Sequence, residues 1–112
     1  RVISVEQGAH WVPPLLHQLK KWHAHYPQSF PGDPVETFHE HVWVSPFWED
    51  DVEALARVVP LERILAGSDW PHPEGLAEPT DYIKGLQGFS EADQRRIMRD
   101  NGHALSGVPV AG

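Results

Sequence analysis

Apolar residues recur along this chain in two rhythms: short dense runs, and longer stretches with a helical repeat. Val2 to Val5 is a short apolar run that breaks at Gly8, and it predicts a strand. In WVPPLLHQLKKWHAHY, the residues Trp11, Leu15, Leu19, Trp22 and Tyr26 fall at helical spacing and predict one apolar helix face. Pro13 and Pro14 suit the first turn of that helix. PQSFPGDPVE, rich in proline, predicts a loop with a short helix from Val35 to Phe38. HVWVSP, β-branched and aromatic, predicts a second strand stopped by Pro46. WEDDVEALARVVP predicts a short helix that buries Val52, Leu55, Ala56 and Val59, with Glu49, Asp50 and Asp51 at its positive end. RILAGSD predicts a third strand, and PTDYIKGLQG a further helix. SEADQRRIMRDNGHALSG predicts a closing helix opened by Ser90 and Asp93 in a capping-box-like pair.

Strands alternating with helices imply βαβ units, a parallel sheet and right-handed crossovers. Three parallel strands make a poor independent sheet, because both faces must be covered and both edges stay open. The chain opens directly on a strand-like run without a methionine. The expectation is a piece of a larger α/β barrel, completed by other residues or by copies that pair at the edges.

Composition narrows the function classes. The 112 residues allow one small domain with a modest core. A net charge of −7 argues against a nucleic-acid surface. The one basic cluster, Arg95, Arg96 and Arg99, falls in the later turns of a helix, where it suits the dipole. No apolar run approaches the roughly 20 residues that span a bilayer. With no cysteine, the chain can form neither disulfides nor thiolate metal sites. The expected setting is cytoplasmic, without membrane or nucleic-acid partners.

In parallel α/β folds, active sites lie beyond the carboxyl ends of the strands. Glu6-Gln7, Ser45-Pro46 and Ser68-Asp69 occupy such ends. Asp69 could ligate a metal or accept a proton from activated water; equally, it could cap the turn that follows. His72 lies just beyond, within reach of a substrate or metal, while Trp70 and Pro71 shape a pocket wall. Glu74 and Glu78 read as solvated loop charges. Two H-x-H pairs resemble zinc sites by spacing. His39-Glu40-His41, however, enters a strand at its amino end, and His23-Ala24-His25 ends a helix, where residues two apart diverge. Eight histidines could also gather metal adventitiously on the surface. No phosphate loop, G-x-S-x-G elbow or H-E-x-x-H motif is present.

RILAGSDWPHPEG resembles the last barrel strand and following loop of the amidohydrolase-2 (amidohydrolase-related) family, whose members carry G-[ST]-D-[WY]-P there. IMRDNGHALSG is similar to that family's closing helix. VISVEQGAHWVPPLLHQL is similar to its sixth strand and helix, and HVWVSPFWEDDVEALARVV to its seventh. The resemblance implies that residues 1–112 form a single partial domain, the C-terminal portion of a (β/α)₈ TIM barrel with three βα units. It implies a metal-dependent hydrolase or nonoxidative decarboxylase acting on a small carboxylate, ester, lactone or amide. Asp69 would be the metal-associated, proton-handling aspartate. Glu6 stands where some members carry another histidine; with His72 and Trp70 it would meet the substrate. The family's other metal ligands, an H-x-H pair on strand one and a histidine after strand five, have no match in this chain. The implied cofactor of the complete barrel is a divalent metal, zinc first and manganese as the alternative, with none in this chain alone as a further alternative. The implied partners are a small-molecule substrate and either the rest of the barrel or a second copy. The rival reading is a catalytically incompetent truncated barrel that serves as an oligomerising or interaction module.

Overall fold

Two runs rich in β-branched residues pair side by side. The computed structural model describes residues 1–109. Within it, β1 (Val2–Ser4) and β2 (Val42–Val44) lie parallel in the register Val2↔Val42, Ile3↔Trp43 and Ser4↔Val44. The ladder continues through Ser45 N–H, which donates to the Ser4 carbonyl at 2.9 Å. The expected third strand, RILAGSD, contracts to one parallel bridge between Val44 and Ile64, with Leu65 N–H donating to the Val44 carbonyl at 2.9 Å. With a neighbour on one side only, residues 65–69 gain too few ladder bonds to form a regular strand. The spatial order is β1, β2, then the Ile64 segment, all parallel.

The connections carry the helices. α1 (Val12–His25) begins at Pro13 and Pro14 as expected, yet its buried face is Val12 and Leu16. Trp22 and Tyr26, predicted to lie on the apolar face, remain 46% and 57% exposed. Trp11 and Leu15, on the predicted face, do pack against the core, and the neighbour of this helix is α2 rather than the sheet. α2 (Pro34–His41) is longer than the short helix expected, because Asp33 caps it by accepting Val35 N–H at 2.8 Å. The His39-Glu40-His41 triplet therefore lies in the last turn of a helix rather than in a strand. His39 Nε2 is committed to the Val58 carbonyl at 2.8 Å.

α3 (Val52–Ala56) starts at Asp51, which accepts Ala54 N–H, and buries Val52 and Leu55 as predicted. Residues 79–86 form a 3₁₀ rather than an α-helix. The closing helix is capped by Ser90 as expected. It runs as α4 (Glu91–Arg95), a π-helical stretch over Arg96–Asp100, and α5 (Asn101–Ser106), ending on Gly107 in the left-handed region. No helix among the described residues is long and apolar enough to cross a membrane.

The core centres on Val44 and Ile64, packed against Val12, Leu55, Leu86 and Ile97. Asn101 pins the closing helix to the sheet: its buried amide donates to the Leu61 and Ile64 carbonyls at 2.8 and 2.9 Å. At the amino end of the sheet, Arg63 lies 4.4 Å over the Trp43 ring and donates to the His39 carbonyl. The outer edge of β1 stays bare, with Val2, Ile3 and Val5 about half exposed. The radius of gyration, 15.3 Å, exceeds the roughly 13 Å of a compact domain of this length. The fold is a slab rather than a closed globule.

Candidate active site at the carboxyl ends of the strands

Three loops meet beyond the carboxyl ends of β1, β2 and the Ile64 segment, and side-chain chemistry holds them in place. Asp50 joins the first two: its Oδ2 accepts Ala9 N–H and Phe47 N–H, each at 2.9 Å. Its carboxylate also lies 3.4 Å from exposed His10. The third loop is folded on itself. His72 N–H donates to the Asp69 carbonyl, Gly75 N–H to the His72 carbonyl and Leu76 N–H to the Ser68 carbonyl, at 2.8–2.9 Å. Trp48 Nε1 crosses between loops to the Glu74 carbonyl at 3.1 Å.

Glu6 and Asp69 both sit in left-handed backbone, with φ of 59° and 55°. Non-glycine residues seldom adopt this conformation, and where they do the site is worth inspection. Here the conformation turns both carboxylates toward one place. Glu6, Asp69 and His72 each offer a ligand atom, and these atoms lie within 4.8 Å of one another. They floor a cleft of about 370 Å³ walled by Phe47 and Trp48, with Glu49 and Glu74 at its margin.

His72 Nδ1 lies 2.8 Å from Asp69 Oδ1. With the carboxylate ionised, the imidazole N–H donates. The cap of the turn is Ser68, whose Oγ accepts Trp70 N–H at 3.3 Å, which leaves the Asp69 carboxylate to the histidine and the cleft. That hydrogen bond, and next the Asp69 charge, raise the His72 pKa above its ordinary 6.5; desolvation opposes them, and Glu6 and Glu74 add smaller contributions to the rise. Because the folded value is raised, the stabilisation from this contact is full below pH 6.5 and is lost as pH climbs through the raised value. An NMR titration of the imidazole is expected to show a midpoint above 6.5 that falls toward it in Asp69→Asn. A wild-type midpoint at or below 6.5 would refute the pairing.

The structure thus brings together three of the four residues singled out in the sequence. Trp70 is 61% exposed, is joined to Pro71 by a cis peptide, and lies outside the lining of the cleft. Phe47 and Trp48 were missed. The signal was available, since both directly follow the strand end at Ser45-Pro46, but the sequence assigned Trp48 to a helix. Neither H-x-H pair lines the cleft.

Comparison with known proteins gives a consistent picture. The family model described as Amidohydrolase matches residues 1–107. A crystal structure of an amidohydrolase from Mycobacterium avium subsp. paratuberculosis K-10 superposes with a TM-score of 0.89 at 50% sequence identity. The match covers 92% of this chain and 27% of that one, so this chain spans about a quarter of its length. No curated protein matches.

Proposed function

This chain belongs to the amidohydrolase family, and from that premise we propose that it forms the last three βα units of a (β/α)₈ barrel acting as a metal-dependent hydrolase or nonoxidative decarboxylase. The substrate class is a small carboxylate, ester, lactone or amide. The observation that carries this reading is the convergence of Glu6, Asp69 and His72 at the carboxyl ends of parallel strands. Active sites of such barrels lie at that face. The bare β1 edge and the slab-like shape support completion of the sheet by further strands.

The donor set fits a divalent cation. Two carboxylates and an imidazole, within 4.8 Å of one another, are the oxygen and nitrogen ligands that zinc or manganese accepts. Asp69 is the ligand of first choice, being the least exposed of the three. When bound, the cation supplies Lewis acidity toward a carbonyl or carboxylate and lowers the pKa of water at the site. The chain's own residues do the rest. Asp69 accepts the proton released when water attacks and passes it to the leaving group. His72 orients Asp69 through the hydrogen bond at 2.8 Å, and in a decarboxylation it would supply the proton to the carbon that loses CO₂. Phe47 and Trp48 exclude water from one side of the bound substrate.

The test is metal content and turnover of the full-length protein across a panel of esters, lactones, amides and aromatic carboxylates. Expected are one divalent ion per barrel, turnover of at least one class, loss on chelation and recovery with zinc or manganese. Full activity without metal, or an inert metal-loaded protein, would overturn the reading. The rival, a self-associating module, rests on the exposed Val2, Ile3 and Val5 of the β1 edge. Metal-free dimers that bury that edge would establish it instead.

A further inference from the structure

Trp48 belongs to two clefts at once. Besides walling the cleft over Asp69, it lines a second one of about 450 Å³ together with Leu76, Tyr82, Gly85, Asp81 and Lys84. The character of this neighbour is different. Tyr82 is 3% exposed, and its hydroxyl is already donated to the Pro46 carbonyl at 3.1 Å. Asp81 and Lys84 neutralise each other at 2.8 Å. Apart from that pair, the second cleft is lined by Tyr82, Leu76, Trp48 and Gly85. No carboxylate of the first cleft lines the second.

The indole is fixed rather than loosely placed. Its N–H is held by the Glu74 carbonyl at 3.1 Å, on the same loop that carries Asp69 and His72. A side chain anchored at its polar tip, 44% exposed and shared by the two clefts, stands as a partition at their common mouth.

We infer that Trp48 is the specificity-determining residue of the site: it closes the polar cleft against the apolar one and so caps the length of the apolar arm a substrate may carry. This rests on the cleft over Asp69 being the substrate site, as proposed above. The substrate class that follows is a short-armed acyl compound whose polar head lies at Glu6, Asp69 and His72 and whose arm ends on the indole. Removing the indole joins the two clefts, and the arm then runs on toward Tyr82 and Leu76.

The test uses the full-length protein and straight-chain carboxylates of increasing length as probes, with binding followed by calorimetry. For the wild type, affinity should rise with the first methylenes and then stop. In W48A the rise should continue for several more carbons, each adding about fourfold in Kd, the value for a buried methylene. W48F keeps a ring as the wall and should retain the wild-type limit. Gly85→Val, whose new Cβ meets only the Trp48 carbonyl at an ordinary 3.7 Å, narrows the second cleft and should reverse the gain in the W48A background. An unchanged length profile in W48A overturns the inference, as does the failure of both proteins to bind any member of the series. Turnover of the substrate panel is a separate readout. A wild type that binds with the expected limit but turns nothing over would sink the catalytic reading and leave the partition standing.

Discussion

On the proposed reading, Asp69→Asn is expected to lower kcat of the full-length protein by about 10²–10⁴-fold, the usual contribution of a positioned acid–base group, while the fold survives. The substitution is nearly isosteric, and the local backbone tolerates it. The φ of 55° at this position lies in the left-handed region, where asparagine is among the residues found most often. The amide oxygen can still accept from His72 Nδ1, so the loop contact at 2.8 Å has a substitute. What vanishes is the charge and the basic site. The side chain is 17% exposed, sheltered enough that bulk water does not replace it freely. Metal affinity should fall together with kcat, because a carboxylate ligand has been exchanged for a weaker neutral one. Circular dichroism and the melting midpoint check the fold, and steady-state kinetics check the loss. A variant that stays within threefold of wild type in kcat would remove Asp69 from the mechanism.

Much of this arrangement could be read from the chain, and what could not be read has identifiable causes. β1 and β2 were legible because Val2-Ile3 and Val42-Trp43-Val44 are β-branched and aromatic runs with clear stops. The Ile64 segment has equal strand character, but pairing is a tertiary property, and only one neighbour is present to meet it. The α1 face was legible in part: Trp11 and Leu15 pack against the core as read, whereas Trp22 and Tyr26 stay exposed. Helical spacing defines an apolar stripe, yet tertiary packing decides which part of it is covered, and here Val12 and Leu16 are covered while Trp22 is not. Asp33 as the cap of α2 was an ordinary signal obscured by the three prolines around it.

The site divides the same way. Asp69 could be found by position, at the end of an apolar run. Its convergence with Glu6 could not, because residues so far apart in sequence meet through the sheet and through two left-handed backbone conformations that non-glycine residues do not announce. Trp48 was hidden by a local assignment. The run of acids after it reads as the first turn of a helix, whereas Asp50 folds back to accept Phe47 and Ala9 N–H groups and keeps residues 47–50 as a loop. That one carboxylate determines whether Trp48 lies on a helix or on the wall of a cleft.

Gly75→Ala is expected to disturb the site from behind, without removing any group that does chemistry. A Cβ at this position would fall well inside contact distance of the Asp69 carbonyl oxygen, and 2.7 Å from both the Asp69 carbonyl carbon and the Ser68 carbonyl oxygen. All three are backbone atoms, so no side chain can rotate away. The turn that holds them is closed by Leu76 N–H to Ser68 at 2.8 Å and by Gly75 N–H to His72 at 2.9 Å. Relief must therefore come from moving backbone, and a shift of Ser68-Asp69 carries the Asp69 carboxylate off its position opposite Glu6. Overpacking of this kind costs about 1–3 kcal/mol of stability, and a displacement approaching ~1 Å at a reacting group costs on the order of 10²-fold in rate. Gly32→Ala is the matched control, since its new methyl group meets nothing within 4 Å. Thermal unfolding and kcat of the full-length protein should both fall for Gly75→Ala and neither for Gly32→Ala. If Gly75→Ala melts and turns over like the wild type, the loop relaxes away from Asp69 at no cost, and the close approach of Gly75 has no part in holding the carboxylate. If it melts like the wild type but loses rate, the loop has shifted without unfolding, and placement of Asp69 alone accounts for the loss.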